Sequence, residues 1–292
     1  HFQRQYSQFC YTFQYIPGKT TYLDTPVVPV AAFSGPDQSR LDCELDTSTP
    51  VIYSVTASAN VGPYVSTPGA DTLTIVSVGT ADVSNPEYDG TIATTSIIQR
   101  DFGFGADSGT VTLNGVALPI DSWSNGIIVV SVPVGASTGQ LEVMRGDNSQ
   151  TTIDGVTVTV GGPAPIVVAP GGSIQAAVES AAKGDLILVA PGTYRERVIV
   201  DKQVRIQGWG APSTVINVAG SPSDSLQDWR DLVSQKFAAG SFDLVPGQHI
   251  AFDAVDNEPS LFNTEEGPAF LVVAKATGPE AFDNSLNARI DG

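Results

Sequence analysis

Residues 172–218 read GSIQAAVESAAKGDLILVAPGTYRERVIVDKQVRIQGWGAPSTVINV, and they carry the most information about the fold. Ser173 is a good N-cap residue, and apolar residues recur at helical spacing over 174–181 before Gly184, which predicts one short helix. Four strand-like segments follow at Leu186–Ala190, Arg197–Val200, Val204–Gln207 and Thr214–Val218. Short strands with a corner roughly every eight to ten residues suit a coil that climbs by one strand spacing per turn.

Within this stretch, residues 184–198 read GDLILVAPGTYRERV and form the most specific pattern. It resembles the N-terminal cap and first rungs of a right-handed parallel β-helix of the pectin-lyase-like superfamily. That superfamily contains lyases, hydrolases, epimerases, adhesins and passive stalks, so the resemblance implies a fold and leaves the activity open. Its pectate-lyase-like enzymes carry their Asp clusters and basic residue on middle rungs that this sequence does not include. No catalytic residue is therefore assigned.

A second pattern precedes the first, in residues 100–162. Asn114-Gly115 is a hairpin turn that accepts positive φ, Trp123 suits a core position between two sheets, and Pro133 with Gly135 ends a strand. The accompanying strand segments are Gly109–Asn114, Ile127–Val132 and Val156–Val160. Together these features resemble the IPT/TIG immunoglobulin-like family. The resemblance implies a β-sandwich that serves as a binding or spacer module, and no catalytic residue transfers from it.

The predicted fold class is mainly β, an Ig-like β-sandwich plus the start of a right-handed parallel β-helix with short capping and inserted helices. We predict three regions: 1–68 as an N-terminal β segment, 69–162 as an IPT/TIG Ig-like domain, and 163–292 as the N-terminal part of the β-helix. The first region either leans on the next domain or completes another one. A helical insertion is predicted near 223–239, where Leu226, Trp229, Val233 and Phe237 share one helical face.

The region 1–68 has the least regular pattern. Residues 6–15 alternate with a period of two, Val51–Ala57 predicts another strand, and Asn60–Gly69 is predicted to be a linker. Cys10 and Cys43 lie in this region. Their even number predicts a single disulfide, and two buried thiols are the alternative.

Composition limits the classes of partner. The 292 residues include 29 Gly and 20 Pro, which is typical of a turn-rich protein, and the net charge is −17. Such a charge argues against binding to nucleic acid or to an anionic membrane, because both present phosphates that need Lys and Arg. It fits a solvated extracellular surface, and we expect an extracellular or cell-surface location. No membrane insertion is predicted, since the longest apolar run, Ile127–Val134, is too short to span a bilayer.

Metal and cofactor sites are not predicted, although calcium stays an alternative. Two acidic sets could offer oxygen ligands to Ca²⁺ and otherwise form solvated loops: Asp101, Asp107 and Asp147, and Asp253, Asp256 and Glu258. His1 and His249 resemble the copper brace of lytic polysaccharide monooxygenases in residue type alone, because they fall in different predicted regions.

Three aromatic residues and one charged run complete the set of candidates. Trp123, Trp209 and Trp229 could stack on sugars, and packing is the alternative reading of each. The run Arg195-Glu196-Arg197 is predicted to form an exposed strip of ion pairs.

These observations predict a secreted or cell-surface structural or adhesive protein, a self-associating component of a filament or matrix. The alternatives are a fragment of a carbohydrate-active β-helix enzyme (a polysaccharide lyase or hydrolase) and a polysaccharide-binding module. The predicted partners are other copies, other surface proteins, or polysaccharide. A β-helix needs about three or more rungs for stability, so we expect the polypeptide to continue beyond Gly292, or another chain to cover that end.

Overall fold

The structure is a computed structural model, and it describes residues 42, 44–58, 61–88, 92–218, 223–244, 268–278, 281–282 and 288–291. The described residues are mainly β, which confirms the predicted class at this level. The chain divides into two compact units. One contains residues 1–47 and 80–101, and the other contains residues 48–79 and 102–292.

The elements are as follows. Strands β1 to β11 are Ile52–Ala57, Tyr64–Val65, Thr72–Ser77, Gly79–Ser84, Ile97–Phe102, Thr110–Leu113, Val116–Ala117, Ile120–Trp123, Ile127–Ser131, Gly139–Met144 and Val156–Val160. Strands β12 to β17 are Ile166–Val168, Leu186–Val189, Gly192–Tyr194, Val198–Val200, Arg205–Gly208 and Thr214–Ile216. Strands β18 to β21 are Phe270–Val272, Ala276–Gly278, Ala281–Phe282 and Arg289–Asp291. Helices α1 and α2 are Ile174–Ser180 and Ser223–Ala238.

In the smaller unit, the described residues include the β4–β5 pair and the side chain of Arg100. This guanidinium binds the carboxylate of Asp42 and donates to the carbonyl of Leu45 at 2.7 Å. The hydrogen bond from Arg100 lowers the pKa of Asp42.

Two sheets of the larger unit, which we call the paired sheets, pack around one core. Their strand orders are β1-β3-β9-β8 and β2-β11-β10-β6-β7. Alternate residues of both sheets point into the core because successive side chains of a strand face opposite ways. The fully buried members include Val55, Leu73, Ile75, Val111, Ile128, Val130, Leu141, Val143 and Val158.

The turn and the core tryptophan predicted for this region both occur. Asn114 and Gly115 have φ of 52° and 76° between β6 and β7, as a two-residue hairpin turn requires. Trp123 packs against the core, its ring centroid 6.3 Å from that of Phe104. Its indole N–H donates to the carbonyl of Gly105 at 3.0 Å.

The prediction of a linker at Asn60–Gly69 is wrong. This segment contains β2, which pairs in parallel with β11 through Tyr64 and Thr159. Two residues are too few to show an alternating pattern, so only the pairing partner identifies the strand. Strand β1 also precedes residue 69 and pairs with β3.

Parallel strands form the rest of the larger unit, and we call them the parallel stack. One sheet has the order β12-β13-β16-β21, while β14 pairs with β17 and β15 with β18, all in parallel. The four strands predicted over 186–218 occur with ends shifted by up to two residues. Strand β14 is additional, since its Pro191-Gly192 start predicted only a turn. The stack encloses a core that includes Val178, Ile187, Val198, Val204 and Ile206.

Both predicted helices are confirmed. Ser173 caps α1 by accepting a hydrogen bond from the amide of Ala176, and the buried face of α1 covers one end of the stack core. Helix α2 matches the helix predicted near 223–239, and its description as an insertion in a β-helix stays a prediction. Its residues Trp229 and Val233 pack with Ile199 and Phe242 outside the stack. Gly240, with φ of 69°, follows its C-terminus.

Candidate functional site

The strongest candidate site lies where the outer face of the parallel stack meets the paired sheets. In β13, β16 and β21, the residues Ile187, Ile206 and Ile290 are aligned in register. The residues on either side of them point outward because the side-chain period of a strand is two. Two outward rows result: Leu186 beside Arg205 and Arg289, and Leu188 beside Gln207 and Asp291.

The first part of this outer face is apolar. Leu186 and Leu188 are 7% and 0% exposed and pack with Tyr64 of β2, with Val61 at the edge of the cluster. The hydroxyl of Tyr64 donates to the carbonyl of Gly162 at 2.9 Å. Burial of large apolar side chains stabilises a contact by about 1.5–3 kcal/mol each, so this cluster holds the two sets of strands together.

The next part is polar, and the buried amide of Gln207 forms hydrogen bonds through both its nitrogen and its oxygen. Gln207 is 0% exposed, and its amide nitrogen donates to the carbonyl of Thr157 on β11. Its amide oxygen accepts from the hydroxyl of Thr159 at 3.3 Å. A buried amide left unpaired costs about 1–3 kcal/mol, so Gln207 favours this one alignment of β16 against β11.

Glycines allow the backbones to approach beside these contacts. A Cβ atom on Gly62 would lie 2.4 Å from Nε1 of Trp209, and one on Gly210 would lie 2.3 Å from the carbonyl oxygen of Tyr53. The amide of Val55 donates to the carbonyl of Trp209 at 2.9 Å. We call the whole contact, from Val55 and Gly62 to Arg289, the junction.

A cleft of about 480 Å³ opens at the charged end of the junction. Its lining includes Thr138, Gly184, Gln203, Arg205 and Arg289. Burial lowers the pKa of Arg205, and the positive charge of Arg289 lowers it further. Arg205 and Arg289 are the charged residues of the lining, so the junction cleft is cationic although the whole chain carries a charge of −17.

A second cleft, of about 280 Å³, lies beside α1 and contains Ser173, Thr193, Arg195 and Glu196. The carboxylate of Glu196 accepts hydrogen bonds from the amides of Ile174 and Gln175 and from the hydroxyl of Ser173. The predicted ion-pair strip therefore does not describe Glu196 fully, because this carboxylate caps a helix. Because α1 occupies this carboxylate, the described residues that line the cleft include no free acid.

The three tryptophans proposed for glycan stacking have different surroundings. Trp123 is partly buried at the core of the paired sheets, and Trp209 is partly buried over Gly62 in the junction. Trp229 is only 4% exposed, so it would have to be uncovered before a sugar could reach its ring. Sugar stacking by these residues stays a prediction.

Cys10, Cys43, His1, His249 and the set Asp253, Asp256 and Glu258 lie outside the described residues. Asp147 binds Arg145 through both oxygens, at 2.9 and 2.7 Å, and the hydrogen bonds from Arg145 lower its pKa. Within the described ranges, no three His, Cys, Asp or Glu side chains are grouped as a metal site would need.

Comparison with known proteins does not identify the chain, because no protein-family model and no curated protein matches it.

In the part of the chain that the structure describes, no helix has both the length and the apolar character to cross a membrane.

Proposed function

We propose that the chain is a structural or adhesive part of a secreted or cell-surface protein. In this proposal an IPT/TIG-like Ig sandwich continues into the first rungs of a right-handed parallel β-helix, and the two form one rigid piece. The observation that carries the proposal is the junction. Its buried side chains join the paired sheets to the parallel stack, as a module that transmits force or holds a fixed orientation requires.

Several features support this architecture. The paired sheets share one core and contain the Asn114-Gly115 turn that the IPT/TIG resemblance uses. The stack consists of parallel pairs in register, closed at one end by α1. Its outer face is covered by the paired sheets at Leu188 and Gln207. That face of the early rungs therefore supports attachment to the neighbouring module rather than a long open substrate groove.

Self-association is the second element of the proposal. Among the described residues, β17, β18 and β21 each lie at the edge of a sheet, and Val215 and Val272 on them are 41% and 53% exposed. Edge strands with unpaired backbone groups and apolar side chains are templates for pairing with another chain. We propose that copies associate through these edges.

Light scattering and electron microscopy of the purified chain over a concentration series test this proposal. We expect mass to rise with concentration and Val272→Lys to reduce the rise, because a charge on an edge strand opposes pairing. Val134→Lys is the matched control, since Val134 is 84% exposed and lies outside the strands. A chain that stays monomeric at every concentration and cleaves an acidic polysaccharide would instead support the carbohydrate-active enzyme.

A further inference from the structure

The junction cleft contains two like charges that the strand register places side by side. Arg205 on β16 pairs in register with Arg289 on β21, and both point out of the same face. Neighbouring strands lie about 4.8 Å apart, and like charges at directly opposed positions destabilise a sheet. The repulsion between the two guanidinium groups therefore destabilises this part of the sheet. The pairing of two basic residues is also unexpected by composition, because the chain has 31 acidic and only 14 basic residues.

The described side chains offset this cost only in part. Arg205 donates to the hydroxyl of Thr159 at 2.9 Å, while its Nε is buried without a hydrogen-bond partner among the described residues. Nε of Arg289 lies 2.8 Å from both carboxylate oxygens of Asp291. One carboxylate thus faces two guanidinium groups. The nearby acid Asp185 is engaged elsewhere, because it accepts from the amide of Ala182 at 2.8 Å.

From this geometry we propose that the junction cleft binds an acidic sugar through its carboxylate, with Arg205 and Arg289 as the charged contacts. A guanidinium matches the two oxygens of a carboxylate, and a bound anion removes the repulsion between the two arginines. The volume of about 480 Å³ is far larger than an inorganic ion needs and falls in the range of small-molecule sites. Gln203 adds a carboxamide to the lining, suited to sugar hydroxyls.

This site shares only β21, which contains Arg289, with the strand edges proposed for self-association, and it does not use β17 or β18. Calorimetric titration with glucuronate, with glucose as the neutral partner and at constant ionic strength, tests it directly. We expect saturable binding of glucuronate, no binding of glucose, and roughly tenfold weaker binding for Arg289→Gln. Arg195→Gln removes the same charge from an exposed position outside the junction cleft and should leave the affinity unchanged.

Three outcomes would overturn the proposal. Glucuronate binding that falls equally in Arg289→Gln and Arg195→Gln would show only general attraction to positive charge. Binding of inorganic sulfate without glucuronate would show an anion site that does not accept the sugar. Absence of glucuronate binding together with a change of oligomeric state in Arg289→Gln would assign the cleft to an acidic side chain of another copy. Competition between sulfate and glucuronate in the native chain would support the proposal.

Discussion

At the scale of single residues, the junction depends on positions without a side chain. Gly62 has φ of 81°, a conformation that other residues adopt at a cost, and the indole of Trp209 lies where its Cβ would be. Gly161 also has positive φ, of 71°, but a Cβ there would meet no atom within 4 Å. A comparison of substitutions at the two glycines therefore separates the energetic cost of backbone strain from that of close packing.

Alanine substitution at these two positions should give different losses of stability. We expect Gly161→Ala to lower the free energy of unfolding by about 1 kcal/mol through strain, and Gly62→Ala by about 3 kcal/mol because overpacking is added. Denaturant unfolding followed by tryptophan fluorescence measures both. Equal losses would mean that Trp209 moves aside without cost and that the contact contributes little to the junction.

At the scale of elements, Lys236 links α2 to the parallel stack through ion pairs. Nζ of Lys236 lies 2.9 Å from the carboxylate of Asp201 and 3.0 Å from that of Glu179 on α1. Lys236 and Asp201 are 11% and 9% exposed, whereas Glu179 is half exposed. The first contact is therefore a buried ion pair, and the second is largely screened by water.

The pKa values of this group set its pH range. The hydrogen bond from Lys236 lowers the pKa of Glu179 below its usual 4.5. The stability that Glu179 contributes is therefore fully present above pH 4.5 and is lost as pH falls through the lowered pKa. Burial acts to lower the pKa of Lys236, but the hydrogen bonds that its ammonium group donates to Asp201 and Glu179 raise it above 10.5 overall. Its contribution is present below 10.5 and is lost as pH rises through the raised value.

Replacing Lys236 tests how much these ion pairs contribute to stability. Lys236→Met should cost about 3 kcal/mol near neutral pH, because Asp201 is left buried without its partner. Glu179→Gln, the control at the exposed end of the same group, should cost about 0.5 kcal/mol. Unfolding measured across pH should show the difference between the native chain and Lys236→Met shrinking at both acid and alkaline extremes. A difference that is constant across pH would show that packing, not charge, holds α2.

At the scale of the whole larger unit, the paired sheets and the parallel stack belong to one compact unit, and we predict that the junction makes them unfold together. Leu188 points out toward Tyr64, while its neighbour Ile187 points into the stack core, and both are 0% exposed. These adjacent residues offer two substitutions of similar size, one in the junction and one in the core.

Calorimetry of Leu188→Ala and Ile187→Ala tests this coupling. Each substitution should cost about 2–5 kcal/mol through the cavity it leaves. We expect Ile187→Ala to lower the temperature of a transition that the two parts share, and Leu188→Ala to split that transition in two because it weakens their contact. Two transitions already present in the native chain would show that the paired sheets and the stack unfold independently.

Much of the local structure was predictable because short-range interactions determine it. The cap at Ser173, the Asn114-Gly115 turn and the packing of Trp229 and Val233 on one face of α2 each depend on a few neighbouring residues, and the structure has all three. Strand β2 was not predictable, since a two-residue strand exists only through its pairing with β11. The assignment of 69–162 and 163–292 to separate domains stays a prediction.

The sequence by itself thus determined the mainly β class, the two helices and most strands. Only the tertiary structure decided what the outer face of the stack contacts. The run Leu186–Val189 is apolar at every position, so its pattern cannot show which residues face the stack core and which face β2. Arg205 and Arg289 are distant along the chain and become neighbours only through strand register. The junction cleft follows from that pairing, because register is a property of two strands together and of neither alone.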